Sequence, residues 1–167
     1  QIGTGVAAVD LAIKKNSLTA GKTYTFQLAA TYSTTNPDNV DVFEKIDVLI
    51  NDAPVGGSLT VSPQAGIALN TSFFFQTKGW SDDPNDYPLQ YSMVVFTFST
   101  KVNTIKTSDE LSYTSTVLAE GLEKKNYTMT ARVTARDIYG AEGEDTTEVY
   151  SKMPVFSTAE LASAADS

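Results

Sequence analysis

Four carboxylate or amide side chains crowd the short stretch GWSDDPND: Asp82, Asp83, Asn85 and Asp86. Carboxylates and amide carbonyls are hard ligands of the kind Ca²⁺ prefers, and the proline among them favours a turn that gathers them. The spacing does not match an EF-hand loop, and Asp, Asn and Pro are good turn formers in their own right. A calcium site and a solvated acidic turn are therefore both open readings. If the stretch joins two strands at one end of a sandwich, the next loop at that end brings Asp137, Glu142 and Glu144 beside it. Trp80, directly before the carboxylates, is expected to pack over a core or cap its end and so anchor the loop. Stacking on a ligand is the alternative role for that ring.

Other chemistry is sparse. The 167 residues contain no cysteine and no histidine, which removes thiol nucleophiles, thiolate metal sites, disulfides and the commonest general base. Carboxylate pairs occur only in turns, and no glycine-rich loop follows a strand and opens a helix, so catalysis is not expected and calcium is the one cofactor considered. The net charge is −8 with only 12 Lys plus Arg, which argues against nucleic acid as a partner. No apolar run approaches the roughly 20 residues that span a bilayer, and no signal-peptide pattern opens the chain. The stretch reads as a fragment of something longer. Two triplets, Asn70-Thr71-Ser72 and Asn126-Tyr127-Thr128, satisfy the N-glycosylation pattern and fall where loops should enter strands.

With 41% hydrophobic residues the chain can bury a core, and its local patterns are those of strands. Alternating runs rich in Thr, Val, Tyr and Phe fall at 23–31, 45–50, 58–62, 72–77, 89–98, 127–135 and 146–149, separated by turn residues. Within them Tyr24, Phe26, Leu28 and Ala30 share one face, as do Tyr127, Met129, Ala131, Val133 and Ala135. Phe73 and Phe75 point one way and Phe74 the other. Only the tail at 157–167 looks helical or unstructured. The fold class predicted is all-β.

Two segments echo each other: a leucine, a polar turn, then Tyr24 or Tyr127, then alternation ending in threonine. This is the pattern of a tyrosine corner in an immunoglobulin-like sandwich, where the hydroxyl bonds back to upstream backbone. The copies lie about one domain apart, as in tandem sandwiches. Before Tyr24 there is room for one strand, at 6–13, so residues 1–52 are expected to form the C-terminal half of a sandwich, strands E, F and G. Residues 53–153 have the length of a complete sandwich, and 154–167 a linker or the start of another element. Pro54, Gly56 and Gly57 read as the junction, short enough to be stiff.

The order of motifs resembles one family. N-x-x-P-x-G-G (51–57), V-S-P-x-x-G-x-A-L-x-T-x-F (61–73) and G-W-S-D followed by P-L-x-Y (79–91) are similar to the receptor-for-egg-jelly (REJ) region of polycystin-1-like proteins. The preceding L-x-x-G-x-x-Y at 18–24 and the later D-x-Y-G-A at 137–141 fit the same pattern. The resemblance covers about 18–149, and its specific part is 54–91. It implies an extracellular stack of fibronectin type III-like sandwiches in a large surface protein of cilia, flagella or gametes. Such a segment would act in adhesion, sensing or mechanical linkage. The partners it implies are neighbouring domains, other extracellular or ciliary proteins, and a polycystin-type channel subunit. A repeat of a surface filament and a microbial adhesin are the alternatives. Animal members carry cysteines here, so their absence points to a protist or algal relative.

Overall fold

A computed structural model describes residues 10–30, 42–97 and 101–154. The chain divides into two compact units, Gln1–Asp52 and Ala53–Ser167.

In the first unit, β1 (Thr23–Ala30) and β2 (Val42–Leu49) form an antiparallel two-stranded ribbon. Register pairs Tyr24 with Val48 and Phe26 with Ile46, so the alternation seen in sequence collects one apolar face. That face is largely exposed, with Leu28 at 56% and Ile46 at 63%. The Tyr24 hydroxyl accepts a 2.8 Å hydrogen bond from the backbone N–H of Thr19, five residues upstream. The strand expected at 6–13 is not found where the structure describes it: Asp10 to Ile13 adopt no strand. Residues 6–9, the loop at 33–41 and the tail at 157–167 lie outside the described residues.

The second unit contains β3 (Ser58–Ser62), β4 (Ala65–Ile67), β5 (Ser72–Lys78), β6 (Gln90–Phe96), β7 (Val102–Asp109), β8 (Tyr113–Val117), β9 (Thr128–Arg136) and β10 (Glu142–Lys152). The strands form two sheets, one ordered β3-β5-β8 and the other β4-β10-β9-β6-β7. All pairings are antiparallel except β4 with β10. The only helical element among the described residues is one 3-10 turn, Glu123–Lys125. The fold is all-β.

Alternation decides what the two sheets enclose. Phe73 and Phe75 on β5 are fully buried and meet Met93 and Val95 of β6 and Met129, Ala131 and Val133 of β9 in one core. Each buried phenylalanine contributes about 2–3 kcal/mol through apolar surface removed from water. Phe74, on the outer face, is 39% exposed and lies beside Tyr113, with ring centroids 5.9 Å apart. Outside the core, the Leu59 N–H donates to Asp145 Oδ2 at 2.7 Å, which ties β3 of one sheet to β10 of the other.

Tyr127 differs from the corner expected of it. Asn126 and Tyr127 take left-handed backbone angles, φ 50° and 59°, at the exit of the 3-10 turn. Strand β9 therefore begins one residue later than expected, at Thr128, and Tyr127 leaves the alternation of that strand. Its ring meets Tyr150 edge-on at 6.2 Å and lies under the Lys152 ammonium, 4.3 Å from the centroid. Among the described residues its hydroxyl forms no hydrogen bond, unlike that of Tyr24.

Phe73→Ala should destabilise the second unit by about 3–5 kcal/mol, whereas Phe74→Ala should cost less than about 1 kcal/mol. Denaturant titration of the two variants, followed by tryptophan emission, measures the difference.

Candidate metal centre

The acidic loop joins β5 to β6, and its first fixed point is Trp80. The indole N–H donates to Thr77 Oγ1 at 2.6 Å, and that hydroxyl donates to the Ser58 carbonyl at 2.9 Å. The ring packs against the core in space left by two residues without side chains. A Cβ on Gly57 would overlap the indole, and one on Gly143 would run into the Pro54 carbonyl and lie 2.8 Å from Trp80 Cζ3. Gly56, at φ +76°, turns the chain into this packing, in a region that glycine reaches without strain. Val55 and Ser81 then pair through two 2.9 Å backbone bonds, so the loop departs from a fixed base.

From Ser81 onward the chain folds back on itself. The Asp86 N–H donates to the Asp83 carbonyl at 2.9 Å, and the Asp82 N–H donates to the Tyr87 hydroxyl at 3.1 Å. This turn sends Asp83 and Asn85 to solvent and Asp86 inward, where it is 6% exposed. The second loop, between β9 and β10, arrives alongside: the Ile138 N–H donates to the Asp86 carbonyl at 3.3 Å. It carries Asp137, 4% exposed, whose Oδ1 accepts from the N–H groups of Tyr139 and Ala141, both at 2.9 Å.

One carboxylate oxygen from each of Asp82, Asp86 and Asp137 thus lies within 4.8 Å of the others. Of the four loop residues considered from sequence, Asp82 and Asp86 enter the cluster, and Asp83 and Asn85 do not. Of the three acids expected from the second loop, only Asp137 does. Glu142 and Glu144 run down the β9–β10 hairpin instead, where Glu142 pairs with Arg136 at 3.0 Å and Glu144 with Arg132 at 3.2 Å. Asp82 Oδ1 accepts from the Asp83 N–H at 2.9 Å, while Oδ2 is buried without a hydrogen-bond partner. Burial, reinforced by the charges of Asp82, Asp83 and Asp137, raises the Asp86 carboxyl above its ordinary range.

Both glycosylation triplets carry exposed asparagines: Asn70 in the turn before β5 and Asn126 at the left-handed exit of the 3-10 turn.

The family profile of the REJ domain matches residues 1–166. The chain belongs to the REJ domain family. A search of curated proteins gives no significant match. In this REJ domain the quoted motif residues have physical tasks: Gly57 leaves room for Trp80 of the G-W-S-D stretch, and Asp82 and Asp137, from separate motifs, meet in one cluster.

Gly57→Ala or Gly143→Ala should destabilise the second unit by about 1–3 kcal/mol or more, because the rigid indole and the Pro54 carbonyl cannot both yield. A red shift of Trp80 emission should accompany the loss in thermal melts. Asp86→Asn should act oppositely in calcium-free buffer. A carboxyl whose folded pKa is raised penalises the fold above that pKa, and the penalty vanishes below the unfolded value. The variant should therefore melt higher than wild type at neutral pH, with the gap closing as pH falls through the aspartate range. Paired melts across pH check this.

Proposed function

We propose that the chain is a non-catalytic extracellular segment of a large polycystin-1-like surface protein, built of fibronectin type III-like sandwiches. The observation carrying this reading is the REJ match over residues 1–166, a domain found in extracellular parts of polycystin-like proteins. The strand order supports the finer fold. Sheet β3-β5-β8 corresponds to strands A, B and E, and β10-β9-β6-β7 to G, F, C and C′, with β4 as an extra A′ strand beside G. The ribbon β1–β2, with Tyr24 bonded back to Thr19, corresponds to strands F and G of a partial first sandwich. Residues 1–52 are then the C-terminal half of one sandwich and 53–153 a complete one.

Such a segment works through its surface. Adhesion, sensing or mechanical linkage at a ciliary or flagellar membrane suits it, with neighbouring domains, other surface proteins and a polycystin-type channel subunit as partners. The net charge of −8 favours basic or neutral partners over acidic ones. Exposure of Asn70 and Asn126 supports N-glycan attachment in a secretory pathway.

An antibody raised against this segment should label intact cells of the source organism. Labelling only after permeabilisation would overturn the extracellular reading. Expression through a eukaryotic secretory pathway should give a product whose mobility shifts on endoglycosidase treatment. The shift should shrink stepwise in Asn70→Gln and Asn126→Gln.

A further inference from the structure

We propose that Asp82, Asp86 and Asp137 form a Ca²⁺ site that clamps the β5–β6 loop to the β9–β10 loop. Proximity of acids alone would not carry this. The second observation is that Asp86 is 6% exposed, is directed at the other two carboxylates, and makes no side-chain hydrogen bond among the described residues. Asp82 Oδ2 is also buried with no partner. Buried carboxylates left without donors are costly, and proteins resolve the cost by pairing them or by coordinating a metal.

The donor set selects the ion. Three carboxylates, in a chain without histidine or cysteine, favour a hard cation over zinc, copper or iron. The three oxygens lie within 4.8 Å of one another, so one point lies within about 2.8 Å of all three, a few tenths of an ångström from the Ca–O range of about 2.3–2.6 Å. Calcium tolerates the irregular geometry of ligands drawn from two loops and completes its shell with water, whereas Mg²⁺ demands a near-ideal octahedron. Three charges on two loops place the affinity at about 0.1–1 mM, the range of extracellular modules. Occupancy in the organism rests on the extracellular reading above; the site itself does not.

The test uses the 167-residue chain with the metal alone. Calorimetric titration with CaCl₂ should show saturable binding, and 10 mM calcium should raise the melting temperature by about 5–10 °C over chelator. Tb³⁺ should give emission excited through the tyrosine band, because the Tyr87 hydroxyl lies on the Asp82 N–H, and calcium should displace it. Asp86→Asn is the informative variant, since it removes a repelled charge and should keep the fold intact. It should weaken calcium binding at least tenfold and abolish the calcium-dependent shift. An unchanged wild-type melting temperature without Tb³⁺ emission would overturn the proposal. So would a calcium shift that persists undiminished in folded Asp86→Asn, or an equal shift with Mg²⁺ at the same concentration.

Discussion

The arrangement of the second unit depends on an aromatic ring occupying room that two backbones leave open. Trp80 lies against Gly57, at the threshold of β3, and Gly143, within β10, so its indole touches both sheets at one end. Its N–H is used as well, through Thr77 to the Ser58 carbonyl, so β5 and β3 are joined by polar bonds where the ring joins them by packing. The Leu59–Asp145 hydrogen bond adds a polar tie from β3 to β10 of the other sheet. A wide apolar ring with one polar atom suits such a place, because it fills volume while its single donor finds a partner.

That fixed end explains how acids can gather in so small a volume. A loop leaving a mobile base would let its carboxylates drift apart into water, since mutual repulsion favours separation. Here Val55–Ser81 pairing, the Asp86-to-Asp83 turn and the Ile138–Asp86 bond hold the two loops in register against that repulsion. Burial, and after it the charges of Asp82, Asp83 and Asp137, raise the Asp86 carboxyl, while Tyr139 and Ala141 supply donors to Asp137.

Much of this was legible in the sequence, and the exceptions have physical causes. Strands with one buried face announce themselves: β5 and β9 alternate between core and solvent, and only the left-handed backbone at Tyr127 moves the start of β9 from where the period puts it. β7 and β8 did not, because VNTIKTSD and YTSTV carry Thr and Ser where a core strand carries Val and Phe. The three residues of β4 have no pattern of their own; they pair because β10 runs beside them. At the site, Asp82 and Asp86 were readable as a pair of turn carboxylates, whereas the outward direction of Asp83 and Asn85 depends on a turn geometry that composition does not encode. Glu142 and Glu144 were drawn off by arginines directly across the hairpin, a competition visible only once the register of β9 and β10 is known. Asp145 as a donor's partner for β3 had no local signal at all.

The short parallel pairing of β4 with β10 bears on how the unit behaves under tension. The chain enters through β3 and β4 and leaves through β10, and Tyr150, Ser151 and Lys152 run in the same direction as Ala65, Gly66 and Ile67. Opposed forces on the two ends of the unit pull these neighbouring strands past one another along their length. The Tyr150–Gln64 and Ala68–Lys152 bonds are then strained together in shear, where an antiparallel hairpin pulled at its open end would unzip one bond at a time. A strand of three residues, negligible in the hydrophobic core, thereby sits across the line of force as a mechanical clasp.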